Sequence, residues 1–353
     1  MWRSVRNYLI QALHRKPSGW YPLLAVYYLT YACDFRCPYC SDGSQVPYHR
    51  LPREEVPAAD VLHLLGTIRR YCDYLVITGG EPFNHPECRA VLKGLPSLGF
   101  DGIVLTTNGY AIEPYLPLIN GAVRYLVFSV DTLDHQKADR WFGVGPGALA
   151  KILHNIRTAA EWPRRSYDII ISAVATPNNL NDLTAVFRFC RERGFRFALA
   201  PQLLGVKPHP ALVGNPAYQQ IFDAMIAAKK RGAAVQGSMA YLQHMRDMIK
   251  FSCHPSTLLA VSPGGDVFYP CLERGTIAGN LLQSPDLHAL RRRAHRLIGP
   301  EPLCDNRCHS ACALGLALIL DRPLTMVHEA CLSILSGSIT KRGKYGLPDP
   351  QNI

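Results

Sequence analysis

Cys33, Cys37 and Cys40 stand at C-x3-C-x2-C spacing in the stretch Thr-Tyr-Ala-Cys-Asp-Phe-Arg-Cys-Pro-Tyr-Cys-Ser, residues 30–41. An apolar run, residues 23–29, leads straight into them. Three thiolates on one short loop can hold three irons of a cubane cluster, whose full ligation takes four. One iron is then open to a further ligand, and that vacancy is the chemistry the spacing offers. Zinc is the competing reading. A structural zinc site needs four ligands, and the loop supplies three cysteines with no histidine before His49.

Other groups of chemical interest recur just after apolar runs. Thr78-Gly79-Gly80-Glu81-Pro82 follows the second run. Glycines there let the backbone come close to a ligand, and Glu81 offers a carboxylate to an ammonium group. Thr106-Thr107-Asn108-Gly109 follows the third run and Ser129-Val130-Asp131 the fourth. Ser172 lies within the fifth and Asn178 in the loop after it. Hydroxyl, amide and carboxylate groups suit a polar small molecule; each could also cap a helix or turn. Tyr110, Trp141 and His135 fall near the same ends and are candidates for a substrate pocket.

The elements that must carry these groups alternate. Strand patterns at 23–30, 74–78, 103–107, 125–130, 167–175 and 195–201 are separated by helical patterns at 52–71, 86–98, 114–119, 146–161 and 181–193. Short β/α units imply parallel strands with helical crossovers, and right-handed crossovers curl them into a barrel. Chemistry in such folds sits on the loops after the strands, where these motifs fall. The expected fold is α/β: a partial (β/α)6 TIM-like barrel followed by a small cysteine-rich iron–sulfur domain. The expected divisions are a basic amphipathic helix in 1–19, the barrel in 20–205, a helical connector in 206–250, the cysteine-rich domain in 251–335 and a tail in 336–353.

With its aromatic Tyr39 before the last cysteine, the loop resembles that of the radical S-adenosylmethionine (SAM) enzymes, C-x3-C-x-aromatic-C after the first barrel strand. The Gly79-Gly80-Glu81-Pro82 stretch, some forty residues on, is similar to their GGEP motif. The resemblance implies a [4Fe–4S] cluster on Cys33, Cys37 and Cys40 whose open iron chelates SAM. It implies reductive cleavage of SAM to a 5′-deoxyadenosyl radical that abstracts hydrogen from a substrate. It also implies SAM contacts from Tyr39, Gly79, Gly80, Glu81, Asn108, Ser129 and Asp131.

The last third carries Cys253, Cys271, Cys304, Cys308, Cys312 and Cys331. Cys271 ends a hairpin pattern turning at Gly264-Gly265-Asp266, and Cys304, Cys308 and Cys312 run C-x3-C-x3-C. The layout resembles the SPASM and twitch extensions of radical SAM enzymes, which bind auxiliary Fe–S clusters. It departs from the full SPASM block, C-x2-C-x5-C-x3-C. One auxiliary cluster is expected, a second is left open, and a four-thiolate zinc site is the alternative.

Composition bounds the rest. The 353 residues carry a formal charge of +11 and 48% hydrophobic residues. A basic balance suits an anionic partner, although no nucleic acid is expected. Twelve cysteines, clustered at metal-ligand spacings, read as ligands rather than a disulfide framework. No apolar run reaches the length of a membrane span, and no signal-peptide stretch is present, so a cytoplasmic protein is expected. Trp2, Val5, Leu9 and Leu13 lie at helical spacing among Arg3, Arg6, His14, Arg15 and Lys16. Such a helix can rest in a membrane interface or pack across the bottom of a barrel; packing is expected. The expected partners are a reductant such as flavodoxin or ferredoxin and a peptide or protein side chain as substrate. Two alternatives are an apolar, lipid-like substrate at a membrane surface and a zinc-stabilised binding protein without catalysis.

Overall fold

The computed structural model describes residues 2–14, 19–41, 46–299 and 308–323. After an N-terminal helix α1 (Trp2–Leu13), strand and helix alternate: β1 (Leu24–Thr30), α2 (Ala58–Arg69), β2 (Tyr74–Gly79), α3 (Cys88–Gly94), β3 (Gly102–Thr107), the single turn α4 (Leu116–Ile119), β4 (Tyr125–Ser129), α5 (His135–Phe142), α6 (Ala148–Ala160), β5 (Asp168–Ala175), α7 (Leu180–Arg193) and β6 (Arg196–Pro201). A small ribbon, β7 (Leu203–Leu204) with β8 (Lys207–Pro208), and helices α8 (Pro216–Lys230) and α9 (Met239–Asp247) then lead to β9 (Leu258–Val261), β10 (Asp266–Tyr269) and β11 (Thr276–Asn280), followed by α10 (Leu287–Leu297) and α11 (Ala311–Asp321).

Strands β1 to β6 pair in sequence order, all parallel. The sheet does not stop at β1. Strand β9 joins the other side of β1, also parallel, and β10 and β11 follow antiparallel, giving the order β11-β10-β9-β1-β2-β3-β4-β5-β6. The hairpin expected of the cysteine-rich region is therefore present, and it extends the barrel's own sheet.

Side chains alternate across the strands with the period of two that pleating imposes. One set, including Tyr27, Leu29, Leu105, Phe128, Ile171 and Phe197, packs in the main core. The other set includes Val26, Tyr28, Val76, Thr106, Ser172 and Ala260, and it lines one cavity. Seven strands facing one cavity require the sheet to curl, and both faces covered explains why the strands read as nearly continuous apolar runs.

Three departures from the sequence reading have physical causes. The helix expected over 52–71 begins only at Ala58, since Pro57 caps it with extended backbone (φ −53°, ψ 153°) and a residue before a proline is pushed from the helical region. The helix over 86–98 divides into α3 and a 3-10 turn, Leu95–Leu98, where Pro96 lacks the amide a continuous helix needs. Helix α5 was not foreseen: Asp134 caps it by accepting from Lys137 N at 2.9 Å.

Helix α1 does dock across the N-terminal ends of the strands, but through its polar side. Asn7 Nδ2 donates to Pro22 O at 2.7 Å and to Tyr71 O at 2.8 Å. Gln11 Nε2 donates to Tyr21 O at 3.1 Å, and Ser4 binds Asp73 through both its backbone N and its hydroxyl. Trp2, Val5, Leu9 and Leu13 are left exposed. Among the described residues no helix is long and apolar enough to cross a membrane. The expectations on Cys304, Cys331, Arg15, Lys16 and the tail 336–353 lie outside the described residues.

Candidate active site

At the C-terminal ends of the strands the sheet encloses a cavity of about 440 Å³. Its polar end is formed by the loop after β1. Arg36 holds that loop in shape: its Nη1 donates to Cys33 O at 2.7 Å and Phe35 O at 3.0 Å, while Arg36 N bonds Phe142 O at 2.9 Å. Phe35 stacks on Phe142 with ring centroids 4.4 Å apart. Cys40 N returns to Cys37 O at 3.1 Å, a tight turn that brings the cysteines round together. Cys33, Cys37 and Cys40 all line the cavity.

Burial pushes the thiols of Cys33 and Cys37 up, and neighbouring negative groups add to it: Glu81 and Asp34 on Cys33, Asp131 on Cys37, and Cys40 on both. The thiols thus lie close enough to feel one another's charge. Iron at this end would displace their protons, and soft thiolates are the donors an Fe–S cluster selects. Among the described residues no three His, Cys, Asp or Glu side chains meet around one point as a single metal ion requires. A cubane gives each thiolate its own corner iron, so three thiols on one loop suit a cluster.

The glycine motif meets the same loop. Gly80 N donates to Thr30 O and Glu81 N to Ala32 O, both at 2.8 Å. A Cβ on Gly79 would lie 2.1 Å from Thr30 O, and one on Gly80 2.4 Å from Ala32 O. The glycines are therefore required first by the approach of the cysteine loop's own backbone, and their chain then lines the cavity.

Glu81 lies deeper than the cavity wall. Its carboxylate is fully buried and is not part of the cavity lining. It accepts from Thr107 Oγ1 at 2.8 Å, Asn108 N at 2.6 Å and Phe83 N at 3.3 Å. The side chain braces the turn after β3 against the glycine motif. Burial pushes this carboxyl up to about 8 in spite of those donors.

The other expected residues converge. Asn108 lines the cavity and donates from Nδ2 to Asp34 Oδ1 at 2.9 Å, tying β3 to the cysteine loop. Ser129, Asp131 and Ser172 line it too, whereas Asn178 does not. Tyr39 OH donates to Asp131 Oδ2 at 2.6 Å, and Asp131 Oδ1 accepts from Val174 N at 2.6 Å. Burial raises the Asp131 carboxyl to about 6 against those two bonds. Of the pocket candidates, Trp141 packs edge-on against Tyr39 at 5.2 Å, and Tyr110 packs against Phe35 at 5.7 Å. Neither they nor His135 lines the cavity.

A further part of the lining is apolar and comes partly from the last third of the chain. Val26, Tyr28, Val76, Leu258, Ala260 and Leu272 form it, with Glu273 and the segment His309-Ser310-Ala311-Cys312 closing the side. Tyr28, Tyr31 and Tyr48 form an aromatic cluster there. Cys271 lies close to both Glu273 and Cys308, and Cys312 close to Glu273. Burial, then Glu273, raises the Cys312 thiol to about 11. So Cys271, Cys308 and Cys312 gather beside the cavity, while Cys253 is half-buried against the main core. Glu273 and Tyr48 were missed by sequence reasoning. Glu273, two residues after Cys271, carried a positional signal; Tyr48 had none.

Comparison with known proteins places this geometry. Residues 27–190 match the family described as the Radical SAM superfamily. A GTP 3′,8-cyclase of Campylobacter jejuni subsp. doylei is 32% identical over 114 residues, 31% of this chain and 35% of that protein. A probable GTP 3′,8-cyclase of Saccharolobus solfataricus is 26% identical over 204 residues, 55% of this chain and 60% of that one. The chain thus spans about a third to three fifths of the length of these relatives. Among solved structures, Streptococcus suis SuiB bound to S-adenosylmethionine superposes with a TM-score of 0.60 at 20% identity, covering 81% of this chain and 68% of that one. The likeness is one of fold.

Proposed function

We infer that this chain, a radical SAM enzyme through its residues 27–190, abstracts hydrogen from a substrate whose reacting part is apolar, such as a peptide side chain or an apolar small molecule. The observation that carries the reading is the mixed lining of one cavity: three thiols and polar strand ends together with the apolar side chains of Val26, Val76, Leu258, Ala260 and Leu272. Cys33, Cys37 and Cys40 would hold a [4Fe–4S] cluster, which supplies the electron for SAM cleavage. The Gly79–Gly80 backbone, Asn108, Ser129, Asp131 and Tyr39 hold SAM, and Glu81 keeps the turn beneath Asn108 in place. Leu258, Ala260 and Leu272 shield the substrate from water. Cys271, Cys308 and Cys312 are the start of an auxiliary cluster site in the region 251–335. A flavodoxin- or ferredoxin-type reductant is the expected electron donor.

The names of the matched relatives favour a second reading, GTP cyclisation. Against it, the apolar residues Val26, Val76, Leu258, Ala260 and Leu272 line this cavity together with the carboxylate of Glu273, which does not favour a triphosphate. The test is anaerobic turnover with SAM and dithionite, read as 5′-deoxyadenosine. Formation by the reconstituted wild type and loss of about four irons and all product in a Cys33/Cys37/Cys40→Ala variant support the proposal. Stimulation by GTP with a cyclised nucleotide product moves the assignment to the second reading. No iron and no product in either protein sinks both.

A further inference from the structure

We propose that the outward face of α1 is a docking surface for an anionic lipid bilayer. A surface helix ordinarily turns its apolar stripe to the core and its polar side to water. Helix α1 is mounted the other way round. Asn7 and Gln11 are 0% and 3% exposed, and their amides are spent on the carbonyls of Pro22, Tyr71 and Tyr21. Ser256 Oγ donates to Gln11 Oε1 at 3.0 Å as well. These are specific bonds, two of them fully buried, so the orientation is not an accident of a loose end. On the far side Trp2 is 87% exposed, Leu13 76%, Leu9 50% and Val5 46%. At about 100° per residue these four fall on one stripe, opposite Ser4, Asn7 and Gln11. A continuous apolar stripe held in water marks an interaction.

Charge selects the occupant. Arg6 stands exposed beside the stripe and exposed His14 follows the helix end, while Arg3, farther round the helix, is exposed but paired with Asp73 at 3.6 Å. The whole chain carries +11. An apolar stripe with a basic margin is the composition of a helix lying in the headgroup region of an anionic membrane, and tryptophan is the residue that favours that depth. The surface covers the N-terminal ends of the strands, whereas the cavity opens at their C-terminal ends. Docking would tether the protein with its active site facing away from the bilayer, so the surface is not a substrate entrance.

The test is co-sedimentation of the reconstituted full chain with phosphatidylcholine vesicles, with and without phosphatidylserine. The wild type is expected to bind the phosphatidylserine vesicles at least tenfold more tightly than the neutral ones, and high salt should weaken this binding. Leu9→Glu/Leu13→Glu should lose it at least tenfold with an unchanged melting temperature, since both side chains are exposed. Trp2→Ser, in the first turn, repeats the test with a smaller change. Failure of the wild type to bind, or binding that neither variant weakens, overturns the proposal. So does a dimer in light scattering that Leu9→Glu/Leu13→Glu dissolves, which would assign the stripe to a second copy of the chain.

Discussion

Replacing Glu81 by Gln should reverse sign with pH. In the wild type, burial raises the carboxyl from 4.5 to about 8, outweighing the bonds from Asn108 N, Thr107 Oγ1 and Phe83 N. A carboxyl raised in the folded state stabilises the protein fully below the unfolded value, and this contribution is lost as pH rises through the folded one. Between pH 5.5 and 8.5 the wild type should therefore lose about 3 kcal/mol through this group, at 1.36 kcal/mol per pKa unit. Glutamine cannot titrate and has no such loss. It has its own cost: one oxygen replaces two, and its amide nitrogen meets either Asn108 N–H or the donors on the other side. An unpaired buried donor costs about 1–3 kcal/mol. The variant should be the less stable protein at pH 5.5 and match or exceed the wild type at pH 8.5. Urea unfolding of both metal-free proteins at the two pH values measures this, and taking their difference removes the other titrating groups. Parallel profiles for the two proteins would refute the reasoning, because Glu81 would then carry the same charge folded and unfolded.

Gly80→Ala places a Cβ 2.4 Å from Ala32 O and 2.6 Å from Tyr31 O, so the cysteine loop must move. A loss of about 1–3 kcal/mol is expected from such overpacking, together with loss of SAM binding by equilibrium dialysis. Asn7→Ala strips two carbonyls of a buried donor. It should cost about 1–3 kcal/mol, visible as faster amide exchange confined to α1 and its seat. Tyr39→Phe removes the hydroxyl that donates to Asp131, one of the bonds holding that carboxyl down near 6. Its titration should move upward, shifting the acid limb of SAM binding to higher pH, and a pH series of binding constants checks it.

Much of the barrel could be read in advance because its signals are local. Apolar runs at β1 to β6, each followed by a turn with small or polar residues, need only the period of a buried strand to be recognised. The cysteine loop, the glycine motif and Ser129–Asp131 follow from their place at strand ends, and the structure brings them to one cavity. Where local rules compete, the reading slipped. Prolines trimmed the helix before β2 and divided the one before β3. The eight-residue α5, set by one aspartate cap, was too short for its period to stand out.

What this sequence determined by itself is the order of elements and the chemistry offered at their ends, since both depend on residues adjacent in the chain. Three decisions were left to the tertiary structure. Glu81 turned inward because donors from β3, 26 and 27 residues away, surround it. The hairpin of the last third joined the barrel because β1 presented an unpaired edge that β9 could fill. Helix α1 buried its polar side because Asn7 and Gln11 could bond the carbonyls of Pro22, Tyr71 and Tyr21 beneath it. A hydrophobic stripe read along the chain says only that a face exists; what lies beneath the helix decides which way that face points.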